Sequence, residues 1–441
     1  MSRQCSGPND FMNDNVSRRG FVTVGTGGLL SLMFAPTMNQ FAWAQAGAGA
    51  KPARTAKSVI LLWMGGGPSH IDTWDPKPGH ANGGETKAIR TRANGLMIGE
   101  HFPRVAEDVG DKIAVLRGIT STEADHARAS YLLHTGYTPI PTMQHPNIGA
   151  IITKETGNPE YEIPQFVSVN GGTIGAGFLG STYTPLQVGA GRPLDNVAAP
   201  GGVDKKRMTE RMTLLRYFQS NVEAIANDDA VKSHSKVYGK AEKLMSSPLT
   251  KAFDVASEPQ AVRTAYGTSQ FGTGCLVARR LVESGVKFIQ VGGTASWDMH
   301  NGIYAAMQRG APPVDQGMAA LIKDLDQRNL LHGTMVVWMG EFGRTPRING
   351  NQGRDHYARA FSVVVAGGGV KGGQAIGATS EGGEEVVDRP VQIPDLVASV
   401  YYALGVDGTK TVYNTLGRPM RLVGARKDGS NGEVVRELFG V

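Results

Sequence analysis

The chain has 441 residues, two cysteines, 19% charged residues and a formal net charge of +6. Two cysteines exclude a disulfide framework, so stability must come from a hydrophobic core, which this length can build. The basic residues are dispersed and not interleaved with aromatics, which excludes a nucleic-acid surface and leaves a weak preference for anionic ligands.

The N-terminus holds Ser17-Arg18-Arg19-Gly20-Phe21, a Gly-rich apolar run over residues 22–34, and Ala42-Trp43-Ala44. That order predicts a twin-arginine export signal over residues 1–44, cleaved near Ala44. The run falls short of the about 20 apolar residues a bilayer span needs. Cleavage would remove Cys5 and leave Cys275 as the single thiol of a periplasmic or extracellular protein without a membrane span. Arg3, Arg18 and Arg19 against Asp10 and Asp14 give the signal +1, so the remaining 397 residues carry +5. Residues 45–56 read as a flexible tether, and residues 57–441 as one α/β domain.

Residues 59–64 form an apolar run stopped by Gly65-Gly66-Gly67-Pro68, the pattern of a buried strand ending in a loop. A short helical stretch over 103–109 precedes a second strand at 113–116, then a helix over 125–134 and a strand at 166–169. Residues 203–284 are rich in charged helix formers and predict a mainly helical insertion over one side of the sheet. Strands resume at 286–291, 335–339 and 361–366. Between the first two, Met318, Leu321, Ile322 and Leu325 fall at i, i+3, i+4 and i+7 of a helix. The last helix spans 394–404. Uninterrupted apolar strands alternating with helices predict an α/β fold: a mostly parallel central sheet with helices on both faces.

Ligands in such folds bind at the carboxyl ends of the strands. There the chain places Ser69, His70, Asp72 and Asp75, then Thr120, Ser121, Asp125 and His126, then Asp298 and His300, then Glu341 and Arg344, and finally Arg354, Asp355 and His356. Imidazoles and carboxylates suit a divalent metal, zinc first, with manganese, magnesium or calcium served by an oxygen-richer set. In extended chain, Asp298 and His300 project to the same side and can grip one ion. Gly65-Gly66-Gly67 fits an anion-cradling loop or a tight turn, and Arg344 fits an anion clamp or a partner for Glu341 or Asp355. No Gly-x-Ser-x-Gly elbow follows a strand, which argues against Ser/His/Asp catalysis.

Gly66-Gly67-Pro68-Ser69-His70-Ile71-Asp72-Thr73-Trp74-Asp75-Pro76-Lys77-Pro78, Trp297-Asp298-Met299-His300-Asn301, Gly340-Glu341-Phe342-Gly343-Arg344-Thr345-Pro346 and Gly353-Arg354-Asp355-His356 resemble the blocks of the domain-of-unknown-function 1501 family. That family is similar in turn to the alkaline phosphatase and sulfatase superfamily, and the likeness covers residues 56–424. It implies an alkaline-phosphatase-like core, one or two metals at the strand ends, and hydrolysis of phosphate or sulfate esters. Asp298, His300 and His356 would hold one metal, with Asp72, Glu341 and Asp355 near a second. His126 would be a further ligand, a general acid or base, or the nucleophile, and Arg344 would orient the anion. The partner implied is a small anionic ester or a sulfated or phosphorylated glycan. The sequence departs from the superfamily at Gly65, where a metal-bridging Asp ends the first strand, at His126, where the nucleophile stands, and at Phe342, where a His follows the acidic residue. Those departures keep open a non-catalytic exported protein that binds an anionic ligand in the same pocket.

Overall fold

The computed structural model describes residues 55–192, 194, 201–226, 229–414 and 416–441. The predicted export signal, and the tether up to residue 54, lie outside the described residues. In chain order come strand β1 (Ser58–Trp63), β2 (Ile113–Thr120), helix α1 (His126–Thr135), α2 (Ile148–Thr156), β3 (Phe166–Val169) and β4 (Leu186–Val188). Helices α3 (Lys205–Ala226), α4 (Asp229–Ser246), α5 (Gln260–Tyr266) and α6 (Gln270–Glu283) follow. The chain closes with β5 (Phe288–Val291), α7 (Ile303–Gln327), β6 (Thr334–Met339), β7 (Phe361–Ala366), β8 (Gln374–Ile376), β9 (Val391–Gln392) and α8 (Ile393–Leu404).

The strands form one sheet in the order β8-β2-β7-β6-β1-β5-β3-β4, with β9 also beside β2. All these pairings are parallel except those of β7, which runs antiparallel to both β2 and β6. Alternation sends Ile60, Leu62, Val336, Trp338, Ile289 and Val291 to one face, against α6 and α7. Val59, Leu61, Val337, Met339 and Phe288 face the other side, against α1, α2 and α8. The protein is thus the mixed α/β fold expected, with a mostly parallel sheet covered on both faces.

The helical region 203–284 divides in two. Phe271, Cys275, Leu276 and Leu281 of α6 are fully buried on the sheet face, so α6 belongs to the core layer and not to an insertion. Its charged appearance comes from Arg279, which is buried yet paired with Glu258 at 2.8 Å, Glu283 at 2.7 Å and Asp324 at 3.0 Å. Leu214, Tyr217 and Phe218 of α3, by contrast, are exposed.

The loop after β1 is anchored by a fully buried ion pair. Asp72 accepts from Arg354 Nε at 2.7 Å, from Ser69 Oγ at 2.5 Å and from Thr86 Oγ1 at 2.6 Å. Arg354 also donates to the carbonyls of Asn82, Thr345 and Pro346. The pair joins residues 69–86 to residues 345–354, and it commits both Asp72 oxygens to hydrogen bonds. Asp72, expected near a second metal, is placed in this buried ion pair. Removing one partner of a buried pair costs about 3–5 kcal/mol, because it strands the other charge. Asp72→Ala should lower the free energy of urea unfolding by that amount.

Candidate metal centre

The site stands where the carboxyl ends of β1, β2, β5 and β6 meet the start of β7. Because β7 runs opposite to its neighbours, the residues before it, not after it, arrive at this edge. His356 precedes β7 and pairs with Arg344 in a short antiparallel ribbon. His126 opens α1, whose N-cap Asp125 accepts from the Arg128 amide at 3.0 Å, and Gly136 ends that helix at φ 75°. Two glycines let the segment 297–300 lie flat between loops. Gly66 has φ 114°, and a Cβ there would stand 2.4 Å from the Asp298 nitrogen. A Cβ on Gly353 would stand 2.1 Å from the carbonyl carbon of His300. Only glycine allows either approach.

Donor atoms of His126, Asp298 and His356 lie within 4.8 Å of one another, and His300 stands beside Asp298 and His356. Asp298 Oδ1 lies 3.4 Å from His126 Nε2, 3.0 Å from His300 Nε2 and 3.3 Å from His356 Nε2. His300 Nε2 and His356 Nε2 are 3.1 Å apart. Each imidazole is held from behind through Nδ1: His126 by Glu341 Oε1 at 2.7 Å, His300 by Asp355 Oδ1 at 2.8 Å, and His356 by the Ala124 carbonyl at 2.8 Å. A carbonyl only accepts, so His356 Nδ1 donates to it and Nε2 is the nitrogen turned inward. Glu341 and Asp355 impose the same orientation on the other two rings.

Three imidazole Nε2 atoms and one carboxylate oxygen are therefore turned towards one another. His126 Nε2 is buried and has no hydrogen-bond partner. Ligands about 2.0–2.1 Å from a tetrahedral zinc ion stand about 3.3 Å from one another, close to the distances from Asp298 Oδ1 to the three imidazoles. The residues fit a divalent cation, and His126, Asp298 and His356 by themselves meet the distance requirement for a shared ion.

Other expected site residues have different places. Glu341 is buried: its Oε1 accepts from both His126 Nδ1 and the Gly66 amide at 2.8 Å and so orients the imidazole, while its Oε2 has no hydrogen-bond partner among the described residues. Asp355 likewise orients His300 and is itself held by Asn349 Nδ2 at 3.2 Å. Arg344 is fully buried: Nε donates to the Gly67 carbonyl at 2.9 Å, Nη1 to the Arg354 carbonyl at 3.1 Å, and Nη2 to Gly66 and to Asp298 Oδ1. No fork is left to clamp an anion, and its partner is Asp298, not Glu341 or Asp355. Burial pushes the Asp298 carboxyl up, but the Arg344 guanidinium, helped by His126 and His300, outweighs it and holds the group at about 2. Phe342 packs its ring 4.6 Å from that of His356 and 5.0 Å from that of His126. Sequence reasoning missed the Ala124 carbonyl, Asn349 and the packing role of Phe342. A backbone carbonyl leaves no mark in residue type, so the first had no signal to find.

The family model described as protein of unknown function, DUF1501, matches residues 56–439. The chain belongs to the DUF1501 family. Comparison with curated proteins gives no match. Among solved structures, this DUF1501 protein is similar to a Pseudoalteromonas sulfatase, with 12% identity over 91% of this chain and 78% of that one and a TM-score of 0.40. It is also similar to a Silicibacter pomeroyi phosphonate monoester hydrolase, with 11% identity over 87% and 77% and a TM-score of 0.34. A third likeness is to the C-terminal periplasmic domain of Escherichia coli EcEptC in complex with zinc, with 11% identity over 89% and 96% and a TM-score of 0.34. No residue role is carried over from proteins this distant.

Groups that orient a metal-bound imidazole typically contribute about 10–100-fold in metal affinity. Glu341→Gln should weaken zinc binding by that factor in chelator competition, leaving the stoichiometry unchanged. In the metal-free protein, the depressed Asp298 carboxyl favours the folded state above its ordinary value of 3.8, and that contribution is lost as pH falls towards 2. Asp298→Asn should flatten the fall in thermal midpoint across that window.

Proposed function

We propose that this protein is an exported hydrolase of phosphate or sulfate esters that works with one divalent metal, zinc by preference. The observation that carries the reading is the convergence of three inward-facing imidazole nitrogens on one carboxylate oxygen, each imidazole held from behind through Nδ1. His126, Asp298, His300 and His356 would hold the ion, and three nitrogens with one oxygen favour zinc over magnesium or calcium. At such a donor set a divalent ion supplies Lewis acidity towards an ester oxygen and a lowered pKa for water. The residues of this chain do the positioning. Arg344 keeps Asp298 ionised and fixed, Glu341 orients His126, and Phe342 covers one side of the imidazoles with apolar surface.

His126 is thereby a ligand and not the nucleophile, so water is the attacking group. With Asp72 committed to Arg354 and Phe342 in an apolar role, one ion is proposed in place of two. The ester class follows the resemblance to the alkaline phosphatase and sulfatase superfamily, with sulfated or phosphorylated glycans as the larger candidates. Export rests on Arg18-Arg19 and the run behind it, with residues 57–441 as the single mature domain.

The commitment of every Arg344 contact to the protein favours one competing reading, a binder of anionic ligands without turnover. Purified mature protein should contain about one metal ion per chain and hydrolyse an aryl phosphate, a phosphodiester or an aryl sulfate. His126→Ala should lower the rate by at least about 100-fold, as should chelation. Metal-replete protein inert towards all three esters would overturn the hydrolase and leave the binder.

A further inference from the structure

Beside the metal centre lies an open groove of about 1190 Å³ that no part of the proposed chemistry uses. Its wall begins at Thr120, Ser121 and Thr122 at the end of β2 and includes Arg359. The Ser121 amide donates to the Ala358 carbonyl at 2.8 Å, stitching these two segments together. Arg359 follows His356 by three residues and Thr122 precedes His126 by four, so their Cα atoms lie within about 11 and 15 Å of those ligands. The groove therefore has one end within that distance of the candidate ligands, and its lining continues through Leu132, Gly136 and Tyr137 to residues 419–431.

Its lining is one-sided in charge. Arg359, Arg421, Arg426 and Lys427 line it, and no Asp or Glu does. Arg426 is neutralised by Asp395 at 2.7 Å and Glu433 at 3.4 Å. Arg421 donates to the Asn431 side chain, which leaves its charge in place. Arg359, Arg421 and Lys427 are exposed and make no ion pair among the described residues. Three uncompensated cations in one concave surface focus a positive potential along it. Tyr137 and His145 stack there with ring centroids 4.4 Å apart and planes 3° from parallel. His145 is buried beneath Tyr137, and the ligand-facing chemistry of the groove is the hydroxyls of Thr120, Ser121, Thr122 and Thr138 beside fixed cations, a match for a chain that carries both hydroxyls and acidic groups.

We infer that this groove binds an anionic polysaccharide, presenting one of its acidic substituents to the metal centre. The inference rests on the ester-hydrolase reading for the presentation step, whereas the binding itself is independent of turnover. A small free ester would need neither this volume nor a cationic track leading away from the reaction point. Nucleic acid shares the charge and is the competing occupant that the DNA arm of the test separates.

The test is fluorescence titration of the metal-loaded mature protein with labelled dextran sulfate, polygalacturonate, neutral dextran and single-stranded DNA. Dextran sulfate or polygalacturonate should bind at least about tenfold tighter than neutral dextran, with sulfate and carboxylate arms showing which charge is preferred. The double variant Arg359→Ser, Lys427→Ser should lose that advantage while retaining wild-type metal content and thermal midpoint. His126→Ala, which removes a metal ligand, should still bind the polymer, so a failed hydrolase and a failed groove give different patterns. Equal binding of charged and neutral dextran, unchanged polymer affinity in the double variant, or tighter binding of DNA than of either anionic glycan would overturn the inference.

Discussion

The buried bond between Arg344 and Asp298 is the constraint on which the rest of the centre depends. A guanidinium with no solvent exposure is tolerable here because four of its five N–H groups donate to three carbonyls and one carboxylate. Those carbonyls belong to Gly66, Gly67 and Arg354, so the same side chain joins the exit of β1 to the loop before β7. Asp298 then presents one ionised oxygen at the centre of three imidazoles. Were the arginine neutral or displaced, the carboxylate would lose both its orientation and the charge that keeps it ionised.

The second ion pair, Arg354 with Asp72, works one layer further out. It lies outside the group of His126, Asp298 and His356, yet it ties the loop that carries Asp355 and His356 to the loop after β1. Burial makes both pairs costly to form and costly to break, which suits them to fixing loop geometry more than to adding net stability. The antiparallel β7 completes the arrangement. A strand running with its neighbours would have put His356 at the opposite edge of the sheet.

Much of the architecture was legible in residue order. Apolar runs of strand length, the i, i+3, i+4, i+7 pattern before β6 and the Gly punctuation after β1 all produced elements close to where they were expected. The charged stretch 203–284 was harder to read, since Arg279 and Arg280 look solvated until Glu258 and Asp324 are brought beside them. At the site, Asp298, His300, His356 and His126 were picked out by their position at strand ends. Asp72, Glu341, Asp355 and Arg344 were picked out by the same rule, but residue type cannot separate a carboxylate that touches a metal from one that holds an imidazole or a guanidinium.

Sequence alone thus determined the fold class, the edge of the sheet where polar groups gather, and the kinds of ligand atom available there. These follow from period, strand length and residue chemistry, all of which are local. Tertiary structure decided the division of labour among those residues, because that division depends on which Nδ1 meets which acceptor across separations of 55 to 232 residues. It also decided that three cations of a dispersed +6 chain share one groove. Long-range packing sets both, and no nearest-neighbour pattern encodes them.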